Sequence, residues 1–294
     1  MASEDDLDLN ALLKWGKDRL KTAGIDDFEI SAEILLRDLL NFSRSDLALQ
    51  ANRRIDSNKI DQYKGLIGKR SKHIPLQYLI EFVEFYNIKL KCDPKAMIPR
   101  PETEILVENV IKQLEDKDSP MILDIGTGSG NIAIALAKNI GDSKVTGIDI
   151  SERALKLARF NAELNDIRGR LNLLSGDIKD ENFVKSLGRF DCVASNPPYV
   201  SEDEIDKLQP EVIEFEPRNA LISPGDPLGF FKAILESIPD ILCPGGLLVF
   251  EVGLGQAADV ADLMSGRFDG VELIKDLTGI NRIVMGTYVE REKI

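Results

Sequence analysis

One histidine, His73, is present in 294 residues, which nearly excludes catalysis built on an imidazole base. Cysteine is almost as scarce. Cys92, Cys192 and Cys243 form no pair at metal-ligand spacing, so no metal site is expected. Sparse, odd-numbered thiols suit a reducing cytoplasm. No apolar run approaches the ~18 residues of a membrane span, and no membrane partner is expected. The opening Met1-Ala2-Ser3-Glu4-Asp5-Asp6 is acidic where a secretory or mitochondrial presequence would be basic. The expected location is the cytoplasm.

Positive charge is also in deficit: 37 Lys and Arg stand against 50 Asp and Glu, a net −13. A protein that grips a long nucleic acid relies on a basic face, because counterion release drives that affinity. No stable nucleic-acid partner is therefore expected. The balance is uneven, since residues 1–80 hold 13 basic and 13 acidic side chains and the remainder carries the whole deficit. Within residues 53–72, Arg53, Arg54, Lys59, Lys64, Lys69, Arg70 and Lys72 face only Asp56 and Asp61. That run reads either as a solvated helix face or as a surface that meets a partner.

With 43% hydrophobic and 30% charged residues, the chain can bury a sizeable core, and its length suits one large or two ordinary domains. Residues 1–75 read as helical. Leu9, Leu12, Leu13 and Leu20 recur at helical spacing, as do Ile30, Ile34, Leu35, Leu39 and Leu40. Ser57 reads as an N-cap before Ile60, Tyr63, Leu66 and Ile67. The aromatic and β-branched stretch from Glu81 to Leu90 predicts a short hairpin, and the prolines from Pro94 to Pro101 mark a boundary. Beyond it, apolar runs at 121–125, 145–150, 171–174, 190–194 and 247–252 have the length of buried parallel strands. Helical segments at 131–139 and 153–165, the latter with Ser151 as N-cap, separate them. Such alternation predicts a doubly wound α/β sheet.

Gly126-Thr127-Gly128-Ser129-Gly130 follows the first of these strands and opens a helix. Glycines there permit a tight turn and let a ligand approach the backbone. The dinucleotide fingerprint would need glycine at 131, where Asn131 stands. Asp149 ends the second strand, 19 residues after Gly130, where a carboxylate can accept both hydroxyls of a ribose. Asp177 follows the third strand, where an acid can accept from an adenine amino group. Each alone reads equally as a turn or cap residue. Together, at the carboxyl ends of successive strands, they outline a nucleoside pocket and favour an adenosine-containing cofactor.

Asn196-Pro197-Pro198-Tyr199 follows the fourth strand, a tetrapeptide whose chance occurrence in such a chain is about one in a thousand on average residue usage. It suits alkylation of a planar nitrogen. The Asn196 side-chain oxygen and the Pro197 carbonyl can both accept from one –NH₂, the prolines stiffen the backbone, and Tyr199 can pack on the flat face of the group. No side chain need remove a proton first, in keeping with the missing histidines. Rate would come from in-line positioning, an effect that supplies up to ~7–11 kcal/mol.

These residues resemble the PrmC/HemK family, the S-adenosyl-L-methionine-dependent glutamine methyltransferases of peptide chain release factors. The resemblance covers nearly the whole chain. It includes Ile98-Pro99-Arg100-Pro101-Glu102-Thr103-Glu104, Phe215-Glu216-Pro217 with Ala220-Leu221, and Gly245-Gly246 before Glu251-Val252-Gly253. Asp276-Leu277-Thr278-Gly279-Ile280-Asn281-Arg282 and the helical start with Ala32-Glu33-Ile34-Leu35-Leu36 also match. The resemblance implies a seven-stranded Rossmann-like class I methyltransferase sheet, with an antiparallel last strand at Arg282–Tyr288, beside a small all-helical amino-terminal domain. The implied domains are 1–78 for substrate recognition, 79–100 as a hairpin linker and 101–294 for methyl transfer.

It further implies that Gly126, Thr127, Gly128, Ser129, Gly130, Asp149, Ile178 and Asn196 touch the cofactor, joining Asp177. Asn196, Pro197, Pro198 and Tyr199 would hold the acceptor, the glutamine of a Gly-Gly-Gln loop in class 1 release factors, with Asn196, Pro197 and Tyr199 catalytic. Arg100-Pro101-Glu102-Thr103 favours this reading over the related ribosomal-protein glutamine methyltransferases, which usually lack it. Two departures stand out: Ile80 where the family commonly has glycine before the hairpin, and Ile178 where some members have an aromatic at the adenine. The main rival is an adenine-specific DNA or RNA methyltransferase, since the tetrapeptide can hold the amine of a flipped base. Net charge and the lack of a large target-recognition insertion weigh against it. A non-catalytic binding protein is opposed by the intact glycine loop and tetrapeptide, and a nicotinamide dehydrogenase by Asn131.

Overall fold

A computed structural model describes residues 8–167 and 169–290; the acidic opening at 1–6 lies outside them. The chain forms two compact units, Met1–Glu81 with Gln209–Phe215, and Phe82–Leu208 with Glu216–Ile294. Among the described residues no helix is long and apolar enough to cross a membrane, and no His, Cys, Asp or Glu cluster could hold a metal ion.

The first unit begins with α1 (Leu9–Thr22), α2 (Phe28–Leu40), α3 (Arg44–Leu49), α4 (Ser57–Arg70) and α5 (Leu76–Ile80). Their apolar stripes meet in a core of Leu9, Leu12, Leu20, Leu35, Leu36, Tyr63 and Ile67. Gly16 permits the close crossing of α1 over α4, because a Cβ there would stand 2.2 Å from the Tyr63 hydroxyl oxygen. That hydroxyl donates to the Ala32 carbonyl at 3.0 Å. The N-cap of α4 is Asp56, one residue before the expected Ser57; its carboxylate accepts from Asn58 N at 2.9 Å. The basic run of residues 53–72 does not form one charged face. Arg70 is buried, donating to Asp27 and Glu211 at 2.9 and 2.8 Å, and Lys64 lies over the Trp15 ring. Arg53, Arg54, Lys69 and Lys72 are the exposed cations of the run.

The second unit opens with the antiparallel hairpin β1 (Phe82–Phe85) and β2 (Ile88–Lys91). Tyr86 and Asn87 both take positive φ, 38° and 62°, as a two-residue type I′ turn requires. Ile80 closes α5, and the left-handed residue before the hairpin is its neighbour Glu81, at φ 65°. There follow α6 (Pro101–Gln113), β3 (Met121–Ile125), α7 (Asn131–Asn139), β4 (Lys144–Asp149), α8 (Glu152–Leu164), β5 (Leu171–Ser175), α9 (Glu181–Ser186) and β6 (Phe190–Ser195). After α10 (Pro210–Phe215), which belongs to the first unit, come α11 (Gly229–Ile241), β7 (Leu242–Glu251), α12 (Ala257–Met264), β8 (Phe268–Lys275) and β9 (Asn281–Tyr288).

The seven-stranded sheet runs β5-β4-β3-β6-β7-β9-β8, and β9 runs opposite to the other six strands. Alternate strand residues face opposite layers. Ile122, Val145, Cys192, Ala194, Leu247 and Val249 meet α6, α7 and the hairpin, whereas Leu123, Ile148, Val193, Leu248 and Phe250 meet α11 and α12. Strand β7 starts five residues earlier than its apolar run, because Cys243 to Gly246 bulge out between the pairs Phe190–Leu242 and Cys192–Leu247. Strand β8 has no counterpart among the expected strands. It is a mostly exposed edge strand, so neither of its faces carries an apolar pattern.

Two buried asparagines one helical turn apart, one on α8 and one capping its carboxyl end, complete the free edge of β2 in place of another strand. Asn161 accepts from Lys91 N at 2.7 Å and donates to Lys91 O at 3.3 Å and to Ser129 O at 3.0 Å. Asn165 accepts from Lys89 N at 3.2 Å and donates to Lys89 O at 2.8 Å. Replacing Asn161 orphans a buried donor and two acceptors. Asn161→Ala is expected to cost about 2–4 kcal/mol, read as a lower urea midpoint, with faster amide exchange at Lys91. An unchanged midpoint would show that the hairpin does not depend on this side chain.

Candidate active site

The strand order places a topological switch point at β3, whose neighbours β4 and β6 lead away in opposite directions. Loops leaving the carboxyl ends of such strands part and leave a crevice. Ile125 pairs with both Ile148 and Ser195, so Gly126, Asp149 and Asn196 emerge at one level. A cavity with about 1000 Å³ of empty space, its solvent mouth included, opens there, which is room for a nucleoside-sized ligand.

Gly126, Thr127, Gly128, Ser129, Asp149, Asp177, Ile178, Asn196, Pro197 and Pro198 all line this cavity. The three loop glycines take φ of 73°, 54° and 84°, the left-handed region where a Cβ is disfavoured. Gly130 is not among the lining residues. It packs under the loop, where a Cβ would come within 2.9 Å of Ile134 and 3.2 Å of Ala158. Asp149 accepts from Gly128 N at 2.9 Å and Ser151 N at 2.8 Å, one bond per oxygen, so each oxygen keeps a lone pair for a further donor. Burial pushes its carboxyl above the usual range, against those two bonds. Asp177 is exposed, with Oδ1 accepting from Lys179 N in a tight turn.

Tyr199 stands apart from the lining residues. Its ring lies against Gly253, whose Cβ, if present, would be 2.8 Å from the ring. Gln256 fixes the backbone there, donating to Tyr199 O and accepting from Gly253 N, both at 3.0 Å. Burial pushes the Tyr199 hydroxyl up to about 12, with Glu251 acting in the same direction.

Several residues here carried no role in the sequence reading. Phe230 and Ile234 of α11 line the cavity with Ile178, Pro217 and Ala220, and the Lys179 ammonium lies 4.3 Å from the Phe230 ring centre. An aromatic is thus present although Ile178 is aliphatic; it comes from a distant helix, which no local pattern could reveal. Glu216 is buried and accepts from Ile98 N at 3.0 Å and from the Arg100 guanidinium, tying the two prolines Pro99 and Pro217 to one wall. Thr103 donates to buried Glu251 at 2.6 Å, and Asn196 Nδ2 donates to the Thr103 hydroxyl at 3.3 Å. Asp276 closes the β8–β9 turn by accepting from Thr278 N, Ile280 N and Arg282 Nε. The donor set fits an adenosine-bearing ligand: an apolar and aromatic slot, a carboxylate with free lone pairs, and a glycine cradle that a Cβ would strain.

The family model "PrmC N-terminal domain" matches residues 11–80, and "Methyltransferase domain" matches residues 116–267. A release factor glutamine methyltransferase of Thermodesulfovibrio yellowstonii is 44% identical over 238 residues, 80% of this chain and 84% of the relative. Proteins of the same name from Fusobacterium nucleatum and Geobacter sulfurreducens are 38% identical over 273 residues and 35% over 281, covering 90% and 95% of this chain and 75% and 96% of theirs. Among solved structures, the hMettl16 catalytic domain superposes with TM-score 0.53 at 14% identity, over 78% of this chain and 84% of that one. That likeness concerns the fold alone.

Beneath the loop, Asp124 is fully buried. Its Oδ2 accepts from the Thr127 hydroxyl at 2.6 Å and Ala133 N at 3.2 Å, while Oδ1 has no partner among the described residues. Burial pushes this carboxyl from 3.8 up to about 7. A carboxyl raised by folding contributes stability that is present below its unfolded value and lost as pH rises through its folded one. Between pH 4 and 8 the wild-type protein should therefore lose roughly 2–4 kcal/mol from this group. Asp124→Asn should flatten that part of the slope in urea unfolding across the same range. Identical slopes for the two proteins would remove Asp124 as its source.

Proposed function

This chain belongs to the family of release factor glutamine methyltransferases, and on that premise we propose that it methylates the side-chain amide nitrogen of the glutamine in a Gly-Gly-Gln loop of class 1 release factors. S-adenosyl-L-methionine, when bound, supplies an electrophilic sulfonium methyl. Gly126, Thr127, Gly128 and Ser129 would face its methionine portion, Asp149 its ribose, and Ile178, Phe230 and Ile234 its adenine. The observation that carries the reading is the position of Asn196 and Pro197, which line the same cavity as the glycine loop and Asp149.

An amide nitrogen is a poor nucleophile because its lone pair is delocalised. Asn196 Oδ1 and the Pro197 carbonyl can accept both of its hydrogens, fixing the group and favouring a pyramidal nitrogen. Pro197 and Pro198 hold those acceptors on a stiff backbone, and in-line placement lowers the barrier without a general base. A glutamine on a flexible glycine loop reaches such a slot without unfolding its own protein. Within the helical unit, residues 1–78 are the part we assign to recognition of the protein substrate. An adenine amine would suit the same acceptors, and the net charge of −13 argues against a nucleic-acid substrate.

Purified protein given labelled S-adenosyl-L-methionine should label a class 1 release factor on that glutamine, located by mass, and not DNA or ribosomal protein. Label that persists when the glutamine is replaced, or that appears on adenine instead, would defeat the proposal. Asp149→Ala should weaken cofactor binding roughly 10- to 100-fold in calorimetry, from loss of charge-assisted acceptors. Asn196→Ala should lower the transfer rate at least about 100-fold, since positioning of the nitrogen is lost.

A further inference from the structure

The Asn196 amide can serve as an acceptor only if its oxygen faces the cavity, and its two ends are alike in size. Something must choose between them. Thr103, fully buried on α6, has one hydroxyl hydrogen, and Glu251 Oε2 lies 2.6 Å from its hydroxyl oxygen. An ionised carboxylate accepts only, so the hydrogen goes to Glu251. The Thr103 oxygen is then left as an acceptor, and the Asn196 group 3.3 Å away must be the NH₂. The Asn196 amide also favours the charged form of Glu251. A flipped amide would set its oxygen against the Thr103 oxygen, an acceptor, in a water-excluded site, where unmade bonds are costly.

We propose that Glu251 and Thr103 are positioning residues that lock the Asn196 amide with Oδ1 toward the acceptor nitrogen. This rests on the reading of Asn196 as the residue that holds the acceptor. The sheet builds the lock into the fold. Ser195 pairs with Phe250 across β6 and β7, so Asn196 and Glu251 leave neighbouring strands at the same level. Val252 N, next in line, donates to the Arg282 carbonyl at 2.8 Å and anchors the end of β7.

A protonated Glu251 can donate, and a donating Glu251 releases the lock. The Thr103 oxygen would then take the carboxyl hydrogen, and its own hydrogen could serve a flipped Asn196 Oδ1. Burial pushes the Glu251 carboxyl up to about 7. Glu102 of α6 acts in the same direction, while the Thr103 bond, the Arg282 charge on β9 and the Asn196 amide oppose it. Tyr199 also faces this carboxylate, as a neutral phenol. Methyl transfer should therefore fade on the acid side of neutrality as the amide loses its fixed sense.

The test uses the full-length enzyme in single-turnover transfer from saturating S-adenosyl-L-methionine to an intact release factor, with cofactor affinity measured separately by calorimetry. Thr103→Val should lower the rate roughly 10- to 100-fold, the equivalent of one lost bond to a buried charged group. Its cofactor affinity should stay within about twofold, since the substituted methyl does not reach the cavity. Thr103→Ser should restore most of the rate. Wild-type activity should fall as pH drops below about 7, and Glu251→Gln, which cannot titrate, should lack that acid limb. The proposal is overturned if Thr103→Val keeps the wild-type rate, if Thr103→Ser is as impaired as Thr103→Val, or if Glu251→Gln keeps the acid limb. Should Thr103→Val fail to bind cofactor, the Glu251→Gln pH profile decides. If wild-type protein labels another planar amine instead of the release factor, the substrate reading fails, and the same variant ratios on that acceptor still decide the lock.

Discussion

The pairing of β3 with β4 on one side and β6 on the other is the constraint on which the site depends. Ile125 sits in register with Ile148 and Ser195, and the next residue of each strand is Gly126, Asp149 or Asn196. Three cavity-lining residues are thereby set on one line by backbone hydrogen bonds alone. The same logic extends to β7, where Phe250 pairs with Ser195 and delivers Glu251 beside Asn196. A parallel sheet buried on both faces cannot slip its register without moving a whole apolar set, so the spacing of these groups is as rigid as the core.

Around that line the protein keeps charge where burial opposes it. Asp124, Asp149 and Glu251 each sit above the usual carboxylate range because the fold takes them out of water. Each is given hydrogen bonds that recover part of the cost, from Thr127 and Ala133, from Gly128 and Ser151, and from Thr103. Two of the three orient other groups: Asp149 fixes the glycine loop through Gly128, and Glu251 fixes Thr103. Arg100 and Glu216 do comparable work on the opposite wall, where their pairing gathers two prolines to the cavity. Stability is held by the apolar layers on either side of the sheet, and the buried acids are polar groups that the same core encloses at the carboxyl ends of its strands.

The central strands, the glycine loop and the tetrapeptide are legible in the order of the amino acids. Buried parallel strands are continuous apolar runs, and a tight strand-to-helix turn needs glycines close together, so both signals lie within a few neighbouring residues. Asn131–Asn139 and Met121–Ile125 stand where periodicity predicts them, and Ser151 caps α8 as its position implies. Strand β8 was illegible because an exposed edge strand needs no apolar face, and the start of β7 was hidden because Pro244-Gly245-Gly246 reads as a turn when it is a bulge within the strand. Phe230 in the cavity wall, Asn161 bridging β2 to the glycine loop, and the Glu251–Thr103–Asn196 chain were decided by tertiary structure alone. Their hydrogen-bonded partners are 32 to 148 residues apart along the chain. No local pattern constrains such a pair, and only the closing of the sheet and the packing of α6 and α8 on it brings donor and acceptor within reach.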